Sequence, residues 1–268
     1  MSNEIVKKHD LSIILFTVAS SPLPYGEKLK KLREIGYQSV QSGIHEGLDD
    51  QDHKKMLDDL DMEMSCLGGG LGAIQDNPSR VIKAAHIFEC DEVMLGTMPT
   101  ENRADYDGYM RAIDMINAAA KVFIKEGIYL SYHNHAQEFR RFSNGKRGID
   151  LLFENFDPTA VRFLLDTHWL QSGGADILEW MEKCRGRIKN LHVKDYRIAP
   201  ANYETGIGET NKQFSQIGDG NLPWPLIIEK GREIGIRTYI VEQDRSYGED
   251  PFDCAAQSFK TLKALGLK

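Results

Sequence analysis

With 268 residues, 41% of them hydrophobic, the chain can bury one large core but is short for two, so a single domain over residues 1–268 is expected. Asp and Glu number 40 against 33 Lys and Arg, and the resulting net charge of −7 weighs against nucleic-acid backbones and anionic membranes as partners. The cysteines, Cys66, Cys90, Cys184 and Cys254, are scattered and form no C-x-x-C pair, which excludes a zinc knuckle or redox dithiol of that kind and leaves reduced thiols as the expectation.

The N-terminal ten residues are polar and mixed in charge, and the apolar stretch after them lacks the basic flank and cleavage pattern of a signal peptide. No run approaches the length of a membrane span, so a cytoplasmic location is expected. From there to the C-terminus apolar runs alternate with amphipathic ones, the pattern of repeated βα units around a parallel sheet. Strands are expected over residues 12–16, 39–41 with their flanks, 62–67, 92–95, 128–132, 161–165, 188–193 and 237–241. Between them, Leu29, Leu32 and Ile35, and later Met110, Ile113, Ile116, Ala120 and Phe123, recur at helical spacing and read as core-facing stripes. Gly36, Gly127 and Gly235 stand just before strands, where a left-handed C-cap would end a helix.

Two stretches break the pattern. Leu67-Gly68-Gly69-Gly70-Leu71-Gly72 lacks the lysine of a phosphate loop and the spacing of a dinucleotide fingerprint, so it reads as a loop needing close backbone approach. Residues 196–223 form a long polar segment with Gly206, Gly208, Gly218 and Gly220, read as a lid over a site, the alternative being an excursion packed on the barrel wall or against a second subunit.

The chemistry gathers at strand ends. Tyr132-His133-Asn134-His135, Leu165-Asp166-Thr167-His168, Leu191-His192-Val193-Lys194-Asp195 and Val241-Glu242-Gln243-Asp244 each place an ionisable side chain where an apolar run stops, about one βα unit apart. Such endings converge at the C-terminal mouth of an α/β (β/α)₈ TIM barrel, the fold class expected here. Asp166, His192 and Glu242 are the central metal candidates, because a divalent ion accepts carboxylate oxygen and imidazole nitrogen together and keeps open positions for substrate. Taken singly, each is equally readable as a cap or an ion pair. Joint spacing is what argues for the metal.

These motifs, with Glu138-Phe139, Trp169 and Ile217-Gly218-Asp219-Gly220, resemble the xylose-isomerase-like TIM-barrel superfamily, in particular its bacterial sugar phosphate isomerase/epimerases. The match runs from Ile128 to Asp244. The resemblance implies a metal held by a glutamate after the fifth strand, an aspartate after the sixth, a histidine after the seventh and a glutamate after the eighth. The last three fall on Asp166, His192 and Glu242. At the first, where relatives carry Glu-Asn-His, this chain has His133-Asn134-His135, so His133 is preferred as fourth ligand, with Glu138 reaching in from the loop as the alternative.

His135 and His168 are expected to face substrate as hydrogen-bond donors or proton carriers, and Glu138 is retained among the catalytic candidates. Lys194, two residues past His192, returns to the same strand face and could stabilise an enolate; otherwise it pairs with a carboxylate such as Asp195. Trp169 offers a face on which a sugar ring can stack. The implied function is a metal-dependent isomerase or epimerase that abstracts a proton α to a carbonyl of a sugar, keto-sugar or cyclitol, using Glu242 as ligand and base. Mn²⁺ is the ion expected, with Mg²⁺, Co²⁺ or Zn²⁺ as alternatives. Runner-up readings are a lyase of the same superfamily (an inosose or keto-sugar dehydratase), a non-catalytic sugar-binding barrel, and an endonuclease IV-like repair enzyme, which would need more metal ligands and a basic groove. Association into a homo-oligomer is left open.

Overall fold

Alternation along the strands sends one set of side chains out to the helices and the other into the barrel. The computed structural model describes residues 7–199 and 212–268. Ten strands occur there: β1 (Leu11–Ile14), β2 (Ser39–Gly43), β3 (Glu63–Gly69), β4 (Glu92–Leu95), β5 (Tyr129–His133), β6 (Val161–Asp166), β7 (Ile188–Val193), β8 (Asp195–Ile198), β9 (Lys212–Ser215) and β10 (Thr238–Val241). All but β8 and β9 are parallel and close a barrel in the order β1-β10-β7-β6-β5-β4-β3-β2. The fold is therefore a (β/α)₈ TIM barrel, with helices on its outside. Every expected strand exists, although the first ends at Ile14 and Phe16 falls in a short 3₁₀ turn, Leu15–Val18.

Outward side chains and the helices make the main core. The helix Tyr25–Ile35 buries Leu29 and Leu32, and Tyr106–Phe123 buries Ile113, Ile116, Ala120 and Phe123. Each large apolar side chain so buried contributes about 1.5–3 kcal/mol before the cost of ordering it. Gly127 (φ 75°) and Gly235 (φ 81°) end their helices in the left-handed region, as the sequence suggested. Gly36 (φ 124°) is fixed twice over, since a Cβ there would also lie 2.6 Å from the Phe259 ring.

Inside the barrel, Cys66, Leu164 and Ile240 pack with Ile14 and Met94. Toward the N-terminal ends of the strands the interior is polar: Ser12 Oγ donates to Ser65 Oγ at 2.9 Å, and Glu92 accepts from Arg162 (3.2 Å) and Asn190 (2.8 Å). Strand parity then dictates the upper layer. Two residues beyond Ser131, Leu164, Asn190 and Ile240 come His133, Asp166, His192 and Glu242.

The segment after β7 departs from the irregular loop expected. Its two described ends pair as an antiparallel hairpin, Asp195 opposite Ser215 through Ile198 opposite Lys212, while residues 200–211 of the proposed lid lie outside the described residues. Asp195 anchors the chain on both sides of this hairpin: its carboxylate accepts from the backbone N–H groups of Tyr196, Gly218 and Leu222 and from Trp224 Nε1. Gly220 is required there, because a Cβ would collide with that carboxylate. All four cysteines are free and buried. No helix among the described residues is long and apolar enough to cross a membrane.

Candidate functional site

His133 ends β5, Asp166 ends β6, His192 is the penultimate residue of β7 and Glu242 follows β10. All four are buried, and one donor atom from each lies within 4.8 Å of the others. Asp166 Oδ1 caps the helix Thr167–Ser172 by accepting from Trp169 N at 2.8 Å, and its backbone N–H donates to Asn134 Oδ1 at 3.0 Å. This fixes the carboxylate and leaves Oδ2 buried without a hydrogen-bond donor other than the nearby ammonium of Lys194.

His192 is held from behind by a residue with no signal in the sequence. Gln41, on β2, places Oε1 2.6 Å from His192 Nε2, while its own Nε2 faces Met94 Sδ at 3.3 Å. Nε2 therefore carries a hydrogen, and Nδ1, 2.7 Å from Glu242 Oε2, requires a proton or a metal ion on that side. His133 Nε2 lies 3.9 Å from the same Glu242 oxygen.

Lys194 lies on the same inward face as His192. Its Nζ is 3.3 Å from Asp166 Oδ2, 3.0 Å from Glu242 Oε2 and 3.1 Å from Asp244 Oδ1, and the side chain is 1% exposed. Asp195, the partner suggested by sequence, faces the other way. Burial alone would lower the Lys194 pKa, but Asp166, Glu242 and Asp244 outweigh it and raise it. For Glu242, burial pushes the pKa up, yet Lys194 and His192 hold it well below the usual carboxylate range. Asp166 shifts oppositely: burial pushes it up to about 7, against the pull of Lys194 and reinforced by Glu242.

The remaining candidates separate. His135 packs edge-on to His133 (ring centres 4.7 Å apart) and near Trp169 (5.5 Å), and burial followed by Lys194 lowers its pKa to about 4. His168 is turned into an aromatic box with Trp169, Tyr196 and Phe214, its Nε2 3.2 Å from Ser172 Oγ; burial and Lys194 bring its pKa to about 4 as well. Glu138 stands apart from the four. Its Oε2 accepts from His135 N at 2.7 Å and its Oε1 from Tyr132 Oη at 2.9 Å, so it secures the turn that carries His133 and His135.

Two cavities flank the cluster at the mouth. One of about 630 Å³ lies over the ends of β1 to β4 and is lined in part by Gln41 and Met94. A smaller one, about 320 Å³, is lined by Thr97, Arg103, His135, Ala136, Gln137 and Trp169. Thr97 borders both.

A divalent cation suits the donor set. Two imidazoles and two carboxylates are the ligand chemistry of Mn²⁺, Co²⁺ or Zn²⁺, and Mg²⁺ accepts the oxygens. Ionised Asp166, Glu242 and Asp244 against Lys194 leave two negative charges uncompensated, which a divalent ion cancels. The orphaned Asp166 Oδ2 and the facing Nδ1 and Oε2 of His192 and Glu242 point the same way.

Comparison with known proteins places this architecture. An inosose dehydratase of Geobacillus thermodenitrificans is 29% identical over 163 residues, 56% of this chain and 52% of that protein. One from Lacticaseibacillus casei is 31% identical over 147 residues, 52% of this chain and 48% of that one. The chain thus spans about half the length of the curated relatives it matches. Over nearly the whole fold, the crystal structure of a sugar phosphate isomerase/epimerase from Parabacteroides distasonis superposes with a TM-score of 0.77 at 23% identity, covering 98% of both chains. Residues 29–265 match the family model described as xylose isomerase-like TIM barrel, and the chain belongs to that family.

Proposed function

We propose that this protein is a metal-dependent enzyme that removes a proton α to the carbonyl of a sugar, keto-sugar or cyclitol, and that elimination of a β-hydroxyl is the outcome its residues favour. The observation that carries the proposal is the buried His133–Asp166–His192–Glu242 cluster with the Lys194 ammonium against two of its carboxylates. Those four residues would hold the ion, for which Mn²⁺ is proposed; when bound it supplies Lewis-acid polarisation of the substrate carbonyl and acidifies the α-proton.

Glu242 accepts that proton. Its depressed pKa keeps it ionised at neutral pH but makes it a modest base, so the driving force comes from the acidified C–H bond. Lys194 sets positive charge beside the oxygen on which negative charge develops. In the elimination, the α C–H bond breaks toward Glu242, a C=C bond forms, and the β C–O bond breaks. The proton taken up by Glu242, or one from the Lys194 ammonium beside it, passes to the β-oxygen and lets the hydroxyl leave as water.

Elimination is favoured because it needs a base on one side only. Epimerisation by paired glutamates needs a second carboxylate on the opposite face, and the fifth-strand position carries His133, which burial and His192 hold neutral. The names of the inosose dehydratase relatives support the same branch. Isomerisation or epimerisation is the second reading, favoured by His135, a neutral imidazole at pH 7 that offers a second base from another wall. A multinuclear nuclease finds little support: one four-residue cluster occurs among the described residues, and the net charge is −7.

The test is incubation with a panel of inososes and keto-sugars in D₂O, with and without Mn²⁺. Water loss with Mn²⁺ supports elimination, and deuterium at the α-carbon with an isomeric product supports the second reading. Saturable binding without exchange or product on any substrate, metal present, would reduce the protein to a sugar-binding barrel.

A further inference from the structure

The cavity over β1 to β4 has a composition that a small polyol does not call for. Its walls are mostly apolar, among them Ile14, Leu15, Ile44, Val81 and Met94, and Phe16, 55% exposed, stands at its rim. Its volume, about 630 Å³, is in the range that accommodates a drug-sized ligand, roughly 300–1,000 Å³. Glycines line it, and two of them are required neither by backbone strain nor by crowding. Gly70 has φ −90° and ψ 148°, open to any residue, and a Cβ there would meet nothing within 4 Å. Gly96 has no positive φ either, and its nearest neighbour would be Met94 Cε at 3.9 Å. The missing side chains keep the lining flat there. The cavity borders the candidate centre through Gln41, which lines it while accepting from His192.

We propose that the substrate of this site carries a flat, uncharged apolar substituent, an aromatic ring, which lies in this cavity while its sugar or cyclitol end meets the His133–Asp166–His192–Glu242 cluster. The sugar end rests on the function proposed above; the ring rests on the cavity. A phosphate is a poor occupant. Among the described residues Lys28 is the one Lys or Arg lining the space, and its Nζ donates to Ala19 O at 3.2 Å. His45, half-buried over Tyr25 with ring centres 4.2 Å apart, is kept neutral by burial, and its Nε2 lies 3.3 Å from Ser42 Oγ. Those groups suit a hydroxyl on the ring better than a dianion.

Isothermal titration of the Mn²⁺-loaded protein with methyl β-D-glucopyranoside, phenyl β-D-glucopyranoside and phenol reads this directly. Burying a phenyl ring should make the phenyl glucoside bind about tenfold or more tighter than the methyl glucoside. Gly70→Leu, which fills the cavity without backbone strain, should abolish that advantage and leave methyl glucoside binding, Mn²⁺ binding and Tm unchanged; Gly96→Val is the second variant should the first fold poorly. Equal affinities for the two glucosides would overturn the proposal. So would an advantage that survives both variants, or phenol binding without competition from the phenyl glucoside. A dimer dispersed by Phe16→Asp, with no phenyl preference in the monomer, would overturn it in favour of a second copy as occupant. A phenyl advantage with no deuterium exchange on any substrate refutes the proposed function and spares the cavity; exchange with no phenyl advantage does the reverse.

Discussion

Replacing Lys194 by methionine tests the electrostatics of the centre most sharply. The stem keeps its packing, but the ammonium that stands 3.0–3.3 Å from oxygens of Asp166, Glu242 and Asp244 is removed. Removing one member of a buried ion pair costs about 3–5 kcal/mol, because the charge left behind has no partner. For a chain of this size each kcal/mol moves Tm by roughly 2–4 °C, so metal-free Lys194→Met is expected to melt roughly 6–20 °C below wild type at pH 7.5. The deficit should shrink at pH 5, where the abandoned carboxylates take up protons instead. Mn²⁺ should stabilise the variant more than wild type, since the ion no longer competes with an ammonium for Asp166 Oδ2 and Glu242 Oε2; at about 100 times Kd binding alone adds about 2.7 kcal/mol. Differential scanning calorimetry with EDTA and with Mn²⁺, at both pH values, measures all of this. A metal-free Tm within about 2 °C of wild type, or equal Mn²⁺ shifts in both proteins, would refute the reasoning.

Glu242→Gln keeps shape but cannot accept a proton, so solvent exchange and turnover should fall roughly 10²-fold or more while the fold persists by circular dichroism; unchanged turnover at saturating Mn²⁺ would remove Glu242 from the mechanism. Burial raises Asp166 to about 7 in the native state against roughly 3.9 unfolded, so the native protein binds a proton that the unfolded chain lacks between about pH 4 and 7. Metal-free stability contributed by this group, fully present below about pH 4, is therefore lost as pH rises to 7, and denaturant melts of wild type against Asp166→Asn should show that slope. For the same reason Mn²⁺ affinity should increase from pH 5 to 8, and a flat profile by competition titration would count against Asp166 as a ligand. Gln41→Leu frees the His192 ring to choose either tautomer, and Mn²⁺ affinity is expected to drop about 10–100-fold, read by chelator competition.

The barrel and the place of its centre were legible along the chain because both are written with short periods. Alternation put Lys194 on the face of His192, and strand-end motifs recurring once per βα unit let Asp166, His192 and Glu242 be named before any contact was known, while His133 was preferred over Glu138 through the family resemblance. Glycine at 127 and 235 marked helix ends because the left-handed cap is a local demand. Only the tertiary structure decided the rest. Gln41 meets His192 across 151 residues because closure of the ring points β2 and β7, three strands apart around it, into one interior, a relation no local pattern encodes. Glu138 faces Tyr132 and the His135 backbone, and Lys194 chooses Asp244 over adjacent Asp195, because side-chain direction is set by how each loop leaves its strand. The opposite shifts of Asp166 and Glu242 likewise follow from which buried carboxylate has more positive charge around it, a sum over atoms brought together by barrel closure.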